Sequence, residues 1–396
     1  MSSLRADLEA AARIGADERG GVSRFAWTPE LAQANAWLME RLAELGLATE
    51  LDPAGNVLGR WESGEGKAVL LGSHLDTVPN GGRFDGALGV LAALDVVRRL
   101  RADGVEPRRP VWVASFNDEE GARFQTGMLG SRAFCGECDL EDWGGRGVPE
   151  AMAEAGQDFA RLTDARCVEE VGAYFELHIE QGPLLEERRK DLGVVTAITG
   201  ILGFRARFLG EANHAGTTPM ELRRDALAGA ARAVLALRDE ARARDDMTAN
   251  VGVISAEPGG FNVVPGAAEL TIDVRSPSPE RYAELEPFVR ETLSAIAAEE
   301  GLGVELAETH RKPPVALDPD LQDALEAAAH EEGATTLRMP SGAGHDAMVL
   351  AHHVPAAMLF VPSRDGVSHS PEEFTSERQC QLGARVLARA VRRLVT

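Results

Sequence analysis

Residues 72–86 read GSHLDTVPNGGRFDG and follow an apolar run, residues 68–71, that predicts a buried strand. His74, Asp76 and Asp85 lie in this stretch, and the glycines near its end allow the backbone to turn tightly. Neutral imidazole and carboxylate groups are the ligands that a borderline divalent cation such as zinc prefers. We therefore expect a strand that delivers candidate metal ligands into a glycine-rich loop.

Four further segments share this form, in which an apolar or glycine-rich run leads into ionisable residues. They are VWVASF (111–116) before NDEEG (117–121), AYFEL (173–177) before HIEQGP (178–183), SGAG (341–344) before HDA (345–347), and the strand-like run 355–361 before SHSPEE (368–373). In open α/β sheets, ligands bind outside the carboxyl ends of the strands. We therefore expect these ionisable residues to converge at one edge of a sheet.

Length, charge and cysteine content narrow the class of protein. A chain of 396 residues exceeds what one hydrophobic core usually serves, so we expect two domains. A formal net charge of −22 argues against nucleic acid and anionic membrane as partners. No apolar run reaches the ~18 residues of a membrane span, and the first residues lack the apolar core of a signal peptide. Because the four cysteines give no disulfide framework, we expect a cytoplasmic protein.

The pattern of predicted elements changes twice along the chain. Residues 1–195 alternate helical and strand patterns, which predicts a mostly parallel sheet with helices on both faces. From 196 to 312 the order becomes strand, strand, helix, strand, strand, helix, strand, which is typical of a small ferredoxin-like α+β domain. Residues 313–396 return to helix–strand alternation. We therefore predict an α/β protein in which one domain, 1–195 and 313–396, is interrupted by a second, 196–312.

Six motifs in this sequence resemble those of the M20-type metallopeptidase superfamily, and more closely those of its hydantoinase/carbamoylase branch. The branch contains N-carbamoyl-L-amino acid hydrolases, β-ureidopropionases and allantoate amidohydrolases. The motifs run in family order across nearly the whole chain: GSHLDTVPNGGRFDG (72–86), FNDEEGARF (116–124), HIEQGP (178–183), NHAGTTPM (213–220), GHDA (344–347) and SHSPEE (368–373). Two details favour the branch, namely the short gap from His74 to Asp85 and the presence of His178 where the related peptidases usually carry a carboxylate.

The resemblance implies two divalent metal ions per subunit. His74 and His178 would hold one ion, Glu120 and His369 would hold the other, and Asp85 would bridge the two. The same nitrogen and oxygen ligands serve zinc, manganese, cobalt or nickel, so the sequence does not specify the metal.

Glu119 and Asp76 lie beside these ligands in the sequence, and we expect both to take part without binding the metal. Glu119 and Glu120 are adjacent at a predicted strand end, so their side chains point in different directions and one can ligate while the other faces the attacking water. We assign Glu119 as the general base, which accepts the proton of the water and passes it to the leaving nitrogen. Asp76 would accept the second ring N–H of His74 and so fix its tautomer.

The resemblance also implies how the substrate is recognised. In the family the residue equivalent to His214 reaches the active site of the partner subunit and stabilises the oxyanion, which makes 196–312 a lid and dimerisation domain. Asn262 and Arg275 match residues that bind the carboxylate of the substrate, a task that suits the two parallel N–H groups of an arginine. Gln181 is a candidate for binding the ureido group. His345 is a candidate for substrate binding or for stabilising its own glycine-rich loop.

We therefore expect a metal-dependent amidohydrolase that cleaves the C–N bond of a linear, anionic ureido compound and works as a homodimer. The first choice of activity is hydrolysis of an N-carbamoyl-L-amino acid to the amino acid, ammonia and carbon dioxide. The alternatives are, in order, an allantoate amidohydrolase, a β-ureidopropionase and an M20-type aminoacylase or peptidase. A binding protein without catalytic activity is the alternative from a different class, and the complete set of ligands together with Glu119 argues against it.

Overall fold

The computed structural model describes residues 3–396. Within that range the chain forms twelve α-helices: α1 (Leu4–Ala11), α2 (Pro29–Glu44), α3 (Ala87–Ala102), α4 (Leu129–Cys135), α5 (Leu140–Gly144), α6 (Val148–Glu154), α7 (Leu184–Glu187), α8 (Ala226–Arg242), α9 (Pro279–Glu299), α10 (Pro319–Glu331), α11 (Asp346–Leu350) and α12 (Glu377–Val395). The same range contains fifteen strands: β1 (Ala48–Leu51), β2 (Val57–Trp61), β3 (Ala68–His74), β4 (Val111–Phe116), β5 (Val171–Ile179), β6 (Leu192–Ile198), β7 (Gly200–Leu209), β8 (Asn213–His214), β9 (Thr248–Glu257), β10 (Val263–Val264), β11 (Ala267–Ser276), β12 (Gly303–Lys312), β13 (Val315–Ala316), β14 (Thr336–Ser341) and β15 (Ala356–Val361).

These elements divide into two compact units. Unit 1 contains the chain up to Thr196 together with Leu317–Thr396, and unit 2 contains Ala197–Ala316. The boundary therefore falls within β6, whose last two residues pair with β13 inside unit 2. The functional roles of the two domains, catalysis for the first and lid and dimerisation for the second, stay predictions.

The main sheet of unit 1 is parallel through its centre. Its strands follow the order β1-β2-β4-β3-β5-β15-β6, with β14 also paired to β6. The four central strands β4, β3, β5 and β15 run parallel to one another. The outer pairs β1–β2, β2–β4 and β15–β6 are antiparallel. The predicted α/β class is thus confirmed for this unit, with parallel strands at the centre of a mixed sheet.

Strand alternation decides which side chains of the central strands reach the candidate site. Leu71 of β3 and Leu177 of β5 join the main apolar core, which α3 and α12 cover. Because successive side chains of a strand point to opposite faces, the neighbouring His178 and the terminal His74 lie on the other face. All four central strands are buried except for one position of β5, which is why they read as almost continuous apolar runs.

Helix α12 closes unit 1 and shows how the local sequence sets a boundary. Ser376 and Gln379 form a capping box at its start, so orphan backbone N–H groups are satisfied there. Its apolar positions pack against α3 and α10.

Within residues 3–396, no helix combines the length and the apolar character that crossing a membrane requires. The cytoplasmic location stays a prediction.

Unit 2 is built on a four-stranded antiparallel sheet with the order β12-β7-β11-β9. The elements follow one another as β7, α8, β9, β11, α9 and β12, which is a β-α-β-β-α-β succession. Alternate residues of β7, including Phe204 and Phe208, pack against α8 and α9, while the intervening Arg205 and Arg207 are exposed. Helices α8 and α9 correspond to the two helices in the order of elements predicted for residues 196–312.

Candidate metal centre

His74 ends strand β3 with its ring buried and oriented by the backbone. Its Nδ1 lies 3.0 Å from the carbonyl oxygen of Asp76, to which a ring N–H can donate. The other ring nitrogen, Nε2, then faces acidic groups, at 3.9 Å from Oδ1 of Asp85 and 3.7 Å from Oε2 of Glu119. This tautomer presents the lone pair of Nε2 to the space between the carboxylates.

His178 is oriented in the same way on the neighbouring strand β5. Its Nδ1 lies 2.9 Å from the carbonyl oxygen of Ile179, and its Nε2 lies 3.2 Å from Oδ1 of Asp85. The backbone N–H of Gly86 also approaches Nε2, at 3.3 Å. Both strand-end histidines therefore direct Nε2 towards one oxygen of the same carboxylate.

Asp85 lies at the middle of the cluster and is buried. Its Oδ1 faces His74 and His178, whereas its Oδ2 lies 3.3 Å from Nε2 of His369. Gln181 donates to the same Oδ2 from its Nε2 at 3.0 Å. The two oxygens of one carboxylate thus face two different groups of potential ligands, which is the arrangement that a bridging carboxylate needs.

Glu120 and His369 form the second group. Oε2 of Glu120 lies 3.6 Å from Nε2 of His369. Oε1 of Glu120 is buried and has no hydrogen-bond partner in the described part of the chain. An unsatisfied buried carboxylate oxygen is costly, so this atom is suited to a ligand that the chain itself does not provide.

The donor atoms fit a pair of divalent cations. Nitrogen and oxygen atoms of His74, Asp85 and His178 lie within 4.8 Å of one another, and so do those of Asp85, Glu120 and His369, so the two groups share Asp85. Imidazole and carboxylate donors at this spacing suit zinc, manganese, cobalt or nickel.

The electrostatics of the cluster agree with this fit. Burial, together with the charge of Asp85, raises the pKa of Glu120 to about 7. The hydrogen bond with Asp85 raises the pKa of His369 to about 9. Burial lowers the pKa of His178, but contacts with Asp85 outweigh it and bring that pKa to about 9. A cation entering the cluster would replace these protons, so metal affinity should depend on pH.

A third set of close donors does not make a separate site. Glu176, His178 and His345 also lie within 4.8 Å of one another. Nδ1 of His178 faces a backbone carbonyl and its Nε2 faces Asp85, so this histidine has no further lone pair to offer. The carboxylate of Glu176 already accepts a hydrogen bond from Ser73 at 2.7 Å.

The carboxylate of Asp76 makes different hydrogen bonds in the structure from the one that we expected. We expected its carboxylate to accept the ring N–H of His74, but the nearer carboxylate oxygen lies 3.8 Å from Nδ1, and the Asp76 carbonyl makes that contact. The carboxylate oxygens instead accept the backbone N–H groups of Glu119 and Glu120, each at 3.2 Å. Asp76 therefore orients the segment that carries the two glutamates.

Glu119 lies beside the first group of ligands. Its carboxylate is almost fully buried, and its Oε2 is 3.7 Å from Nε2 of His74. Burial, followed by the charge of Asp346, raises the pKa of Glu119 well above its usual range. A raised pKa means that the carboxylate accepts a proton more readily than an exposed glutamate does, which suits a general base.

The positions of His345 and Gln181 are consistent with supporting roles. His345 is buried, its Nε2 lies 2.8 Å from the hydroxyl of Ser341, and its ring edge packs on His178 at a centroid distance of 4.5 Å. These contacts support the interpretation that His345 stabilises its loop, and substrate binding by His345 stays a prediction. Gln181 contacts Asp85, as described above, and its part in binding a ureido group also stays a prediction.

Sequence analysis missed two buried glutamates. Glu373 accepts hydrogen bonds from the backbone N–H groups of Phe84 and Asp85, at 2.9 and 3.1 Å. No sequence signal separated it from its exposed neighbour Glu372. Glu176 had a signal that we did not use, because it is a charged residue within an apolar strand and such residues are rarely buried without partners.

The remaining predicted residues lie in unit 2. His214 pairs with Val263 in the short β8–β10 ladder, and the carbonyl of Asn262 accepts the backbone N–H of Ala215 at 2.9 Å. His214 and Asn262 are therefore close neighbours. Arg275 is in β11, where Asp273 accepts two hydrogen bonds from its guanidinium at 2.7 and 3.0 Å. Their roles towards a substrate stay predictions.

Gly86 is required for the position of His74, which gives a first testable prediction. Its φ is +60°, and a Cβ atom there would lie 2.4 Å from the buried His74 ring. Gly86→Ala should therefore weaken metal binding by about tenfold or more, because it displaces a ligand and strains the backbone. Chelator competition measures the affinity. The matched control is Gly144→Ala, where nothing lies within 4 Å of the new atom; an affinity in Gly86→Ala equal to that control would contradict the prediction.

Comparisons with known proteins agree with this geometry. Residues 70–393 match the profile of the family described as "Peptidase family M20/M25/M40". The chain is 40% identical over 386 residues to an N-carbamoyl-L-amino acid amidohydrolase of Geobacillus stearothermophilus, covering 96% of this chain and 94% of the relative. It is 37% identical over 396 residues to an allantoate amidohydrolase of Bacillus subtilis (strain 168), covering 98% and 96%.

A solved structure shows the same similarity over the full length. The crystal structure of an amidase of the hydantoinase/carbamoylase family from Burkholderia multivorans superimposes with a TM-score of 0.91 at 37% identity. The match covers 98% of this chain and 96% of that one.

Proposed function

Because this chain belongs to peptidase family M20/M25/M40 and, within it, to the hydantoinase/carbamoylase amidohydrolases, we propose that it hydrolyses a C–N bond of a linear ureido compound. The substrate we favour is an N-carbamoyl-L-amino acid, which yields the amino acid, ammonia and carbon dioxide. The observation that carries the proposal is the sharing of Asp85 by two groups of ligands with Glu119 beside them.

Alternative activities rank below this one. Allantoate hydrolysis is the runner-up, because an allantoate amidohydrolase is nearly as similar, at 37% identity against 40%. A β-ureidopropionase and an M20-type aminoacylase or peptidase follow. A binding protein without activity has the least support, since binding alone does not need both ligand groups and Glu119.

The proposed cofactor is a pair of divalent cations per subunit. His74 and His178 would hold one, Glu120 and His369 would hold the other, and Asp85 would lie between them. When bound, such cations supply Lewis acidity, which polarises a carbonyl group and lowers the pKa of water. Zinc, manganese, cobalt and nickel all suit these donors.

The residues of the chain carry out the proton transfers in the proposed reaction. Glu119 accepts a proton from the attacking water, whose oxygen forms a bond with the ureido carbon. Glu119 then returns the proton to the leaving nitrogen as the C–N bond breaks. Cleavage on the amino-acid side leaves carbamic acid, which decomposes to ammonia and carbon dioxide. Asp76 keeps the Glu119 segment in place through the backbone N–H groups that its carboxylate accepts.

We further propose a homodimer in which His214 completes the active site of the partner subunit. Strand β9 is an edge strand of the unit 2 sheet, ten residues long, and its Val253 and Ile254 are 55% and 47% exposed. Long apolar edge strands are prone to pair with another chain, and pairing of β9 with its two-fold mate would cover this edge. This surface supports the proposed dimer.

Arg275 and Asn262 are proposed to bind the substrate carboxylate, which predicts the effect of a conservative substitution. Arg275→Lys should raise KM by about tenfold or more, because a point charge cannot reproduce two parallel N–H bonds. Steady-state kinetics with an N-carbamoyl amino acid and with its decarboxylated analogue measure the effect. Removing the carboxylate from the substrate should raise KM strongly for the wild type and only slightly for the variant. Equal sensitivity of both proteins would show that Arg275 does not bind that group.

Ammonia release from a panel of substrates tests the proposed activity. The panel contains N-carbamoyl amino acids with small, apolar and acidic side chains, together with allantoate and 3-ureidopropionate. We expect the highest kcat/KM with an N-carbamoyl-L-amino acid and little activity with its D-enantiomer. A higher kcat/KM with allantoate would show that the protein is an allantoate amidohydrolase and not an N-carbamoyl-L-amino acid hydrolase.

A further inference from the structure

Glu373 links two of the three segments that carry the candidate ligands of the second cation, namely those of Asp85 and His369. It lies four residues after His369 in the chain and is 3% exposed. Its Oε1 accepts the backbone N–H groups of Phe84 and Asp85, and its Oε2 lies 3.0 Å from the hydroxyl of Ser368. One buried side chain thus contacts the backbone of Asp85 and the neighbour of His369.

The Asp85 segment fits closely around this carboxylate. A Cβ atom at Gly82 would lie 2.0 Å from the carboxyl group of Glu373, so the backbone passes where no side chain could be accommodated. Two N–H groups that converge on one oxygen hold the segment more tightly than a single bond does. The position of Asp85 is therefore defined by Glu373 as well as by its own loop.

Ser368 connects Glu373 to the side chain of Asp85. Its hydroxyl oxygen lies 3.2 Å from Oδ2 of Asp85 and 3.0 Å from Oε2 of Glu373. A serine hydroxyl has one hydrogen, so it donates to one of these oxygens at a time. If Oδ2 of Asp85 serves as a metal ligand, the Ser368 hydroxyl can still donate its hydrogen to Glu373. Ser368 therefore keeps a hydrogen-bond partner whether or not a metal is bound.

We propose that Glu373 is a positioning residue of the metal centre, which holds Asp85 and His369 at the separation that the second cation requires. It acts by accepting hydrogen bonds and does not itself ligate or transfer a proton. The inference rests on the pair of cations in the proposed function, but it is independent of the substrate. Outer partners of this kind typically change metal affinity by about 10- to 100-fold when they are removed.

The test compares three variants in their binding of Zn²⁺ or Mn²⁺ by chelator competition. Glu373→Ala should weaken the binding of one of the two cations by about 10- to 100-fold. Glu373→Gln should retain most of the affinity, because its amide oxygen can accept both backbone N–H groups while its amide nitrogen donates to Ser368. Glu372→Ala is the matched control, since Glu372 is exposed and its carboxylate accepts a hydrogen bond from the nearby Ser370. It should bind both cations as the wild type does.

Two results would overturn the proposal. The first is wild-type affinity for both cations in Glu373→Ala, and the second is an equal loss in the Ala and Gln variants. The thermal unfolding temperature of the metal-free proteins checks that each variant folds. If Glu373→Ala does not fold, the metal affinity of Gly82→Ala is measured instead, because the new methyl group displaces the carboxyl group of Glu373. Unchanged affinity in Gly82→Ala would also overturn the proposal. Because no substrate is used, a wild type that binds two cations but releases no ammonia would contradict only the proposed function.

Discussion

Glu119→Gln should lower kcat by about two to four decades and leave the metal content unchanged. The amide that replaces the carboxylate cannot accept a proton from water, so both proton transfers lose their carrier. Glu119 is not among the two groups of close ligand donors, which is why the cations should remain. Ammonia release gives kcat, and elemental analysis of the dialysed protein gives the metal content per subunit.

The neighbouring residue provides the matched control for this prediction. Glu120→Gln makes the same chemical change, carboxylate to amide, at the next residue of the chain. Glu120, however, is a proposed metal ligand, and its buried Oε1 lacks a hydrogen-bond partner within residues 3–396. This variant should lose metal as well as activity. Metal loss in Glu119→Gln with full metal content in Glu120→Gln would show that we had exchanged their roles.

His214→Ala should lower kcat by about 100- to 1000-fold, the effect of removing one hydrogen-bond donor to an oxyanion. The metal content should not change, because His214 lies in unit 2 and the candidate ligands lie in unit 1. If His214 acts on the partner subunit, its loss can be complemented. In a heterodimer of His214→Ala and Glu119→Gln, both substitutions fall in one active site and the other site is intact.

The complementation experiment mixes these two inactive variants under conditions that allow subunits to exchange. Each heterodimer should then recover activity towards half that of a wild-type dimer. Differently tagged subunits verify that exchange has occurred. If tagged heterodimers form and activity stays at the level of the separate variants, His214 acts within its own chain or has no part in the reaction.

The sequence was most informative where local pattern determines structure. Continuous apolar runs predicted β3, β4, β5 and β15, because strands buried on both faces admit few polar residues. The same runs predicted that His74 and His178 come at the carboxyl ends of strands, where ligands bind in open α/β sheets, and both residues lie near the ends of β3 and β5. Resemblance supplied the family, and the match over residues 70–393 confirms it.

The sequence was least informative about contacts between distant residues. The hydrogen bond from the Asp85 backbone to Glu373 spans 288 positions, and nothing in SHSPEE showed which glutamate would be buried. The choice between the carbonyl and the carboxylate of Asp76 as partner of His74 depends on the local backbone path, which a motif does not specify. The role of His214 depends on a second copy of the chain, and it therefore stays a prediction.

Removal and restoration of metal tests the central claim most directly. Ammonia release from N-carbamoyl amino acids, allantoate and 3-ureidopropionate is measured before chelation, after exhaustive chelation, and after addition of Zn²⁺, Mn²⁺, Co²⁺ or Ni²⁺. We predict that activity disappears with the metal and returns when about two equivalents per subunit are bound, as expected for two ligand groups that share Asp85. Undiminished ammonia release by the metal-free protein would contradict the account, and so would a fully metal-loaded protein that releases no ammonia from any of these substrates.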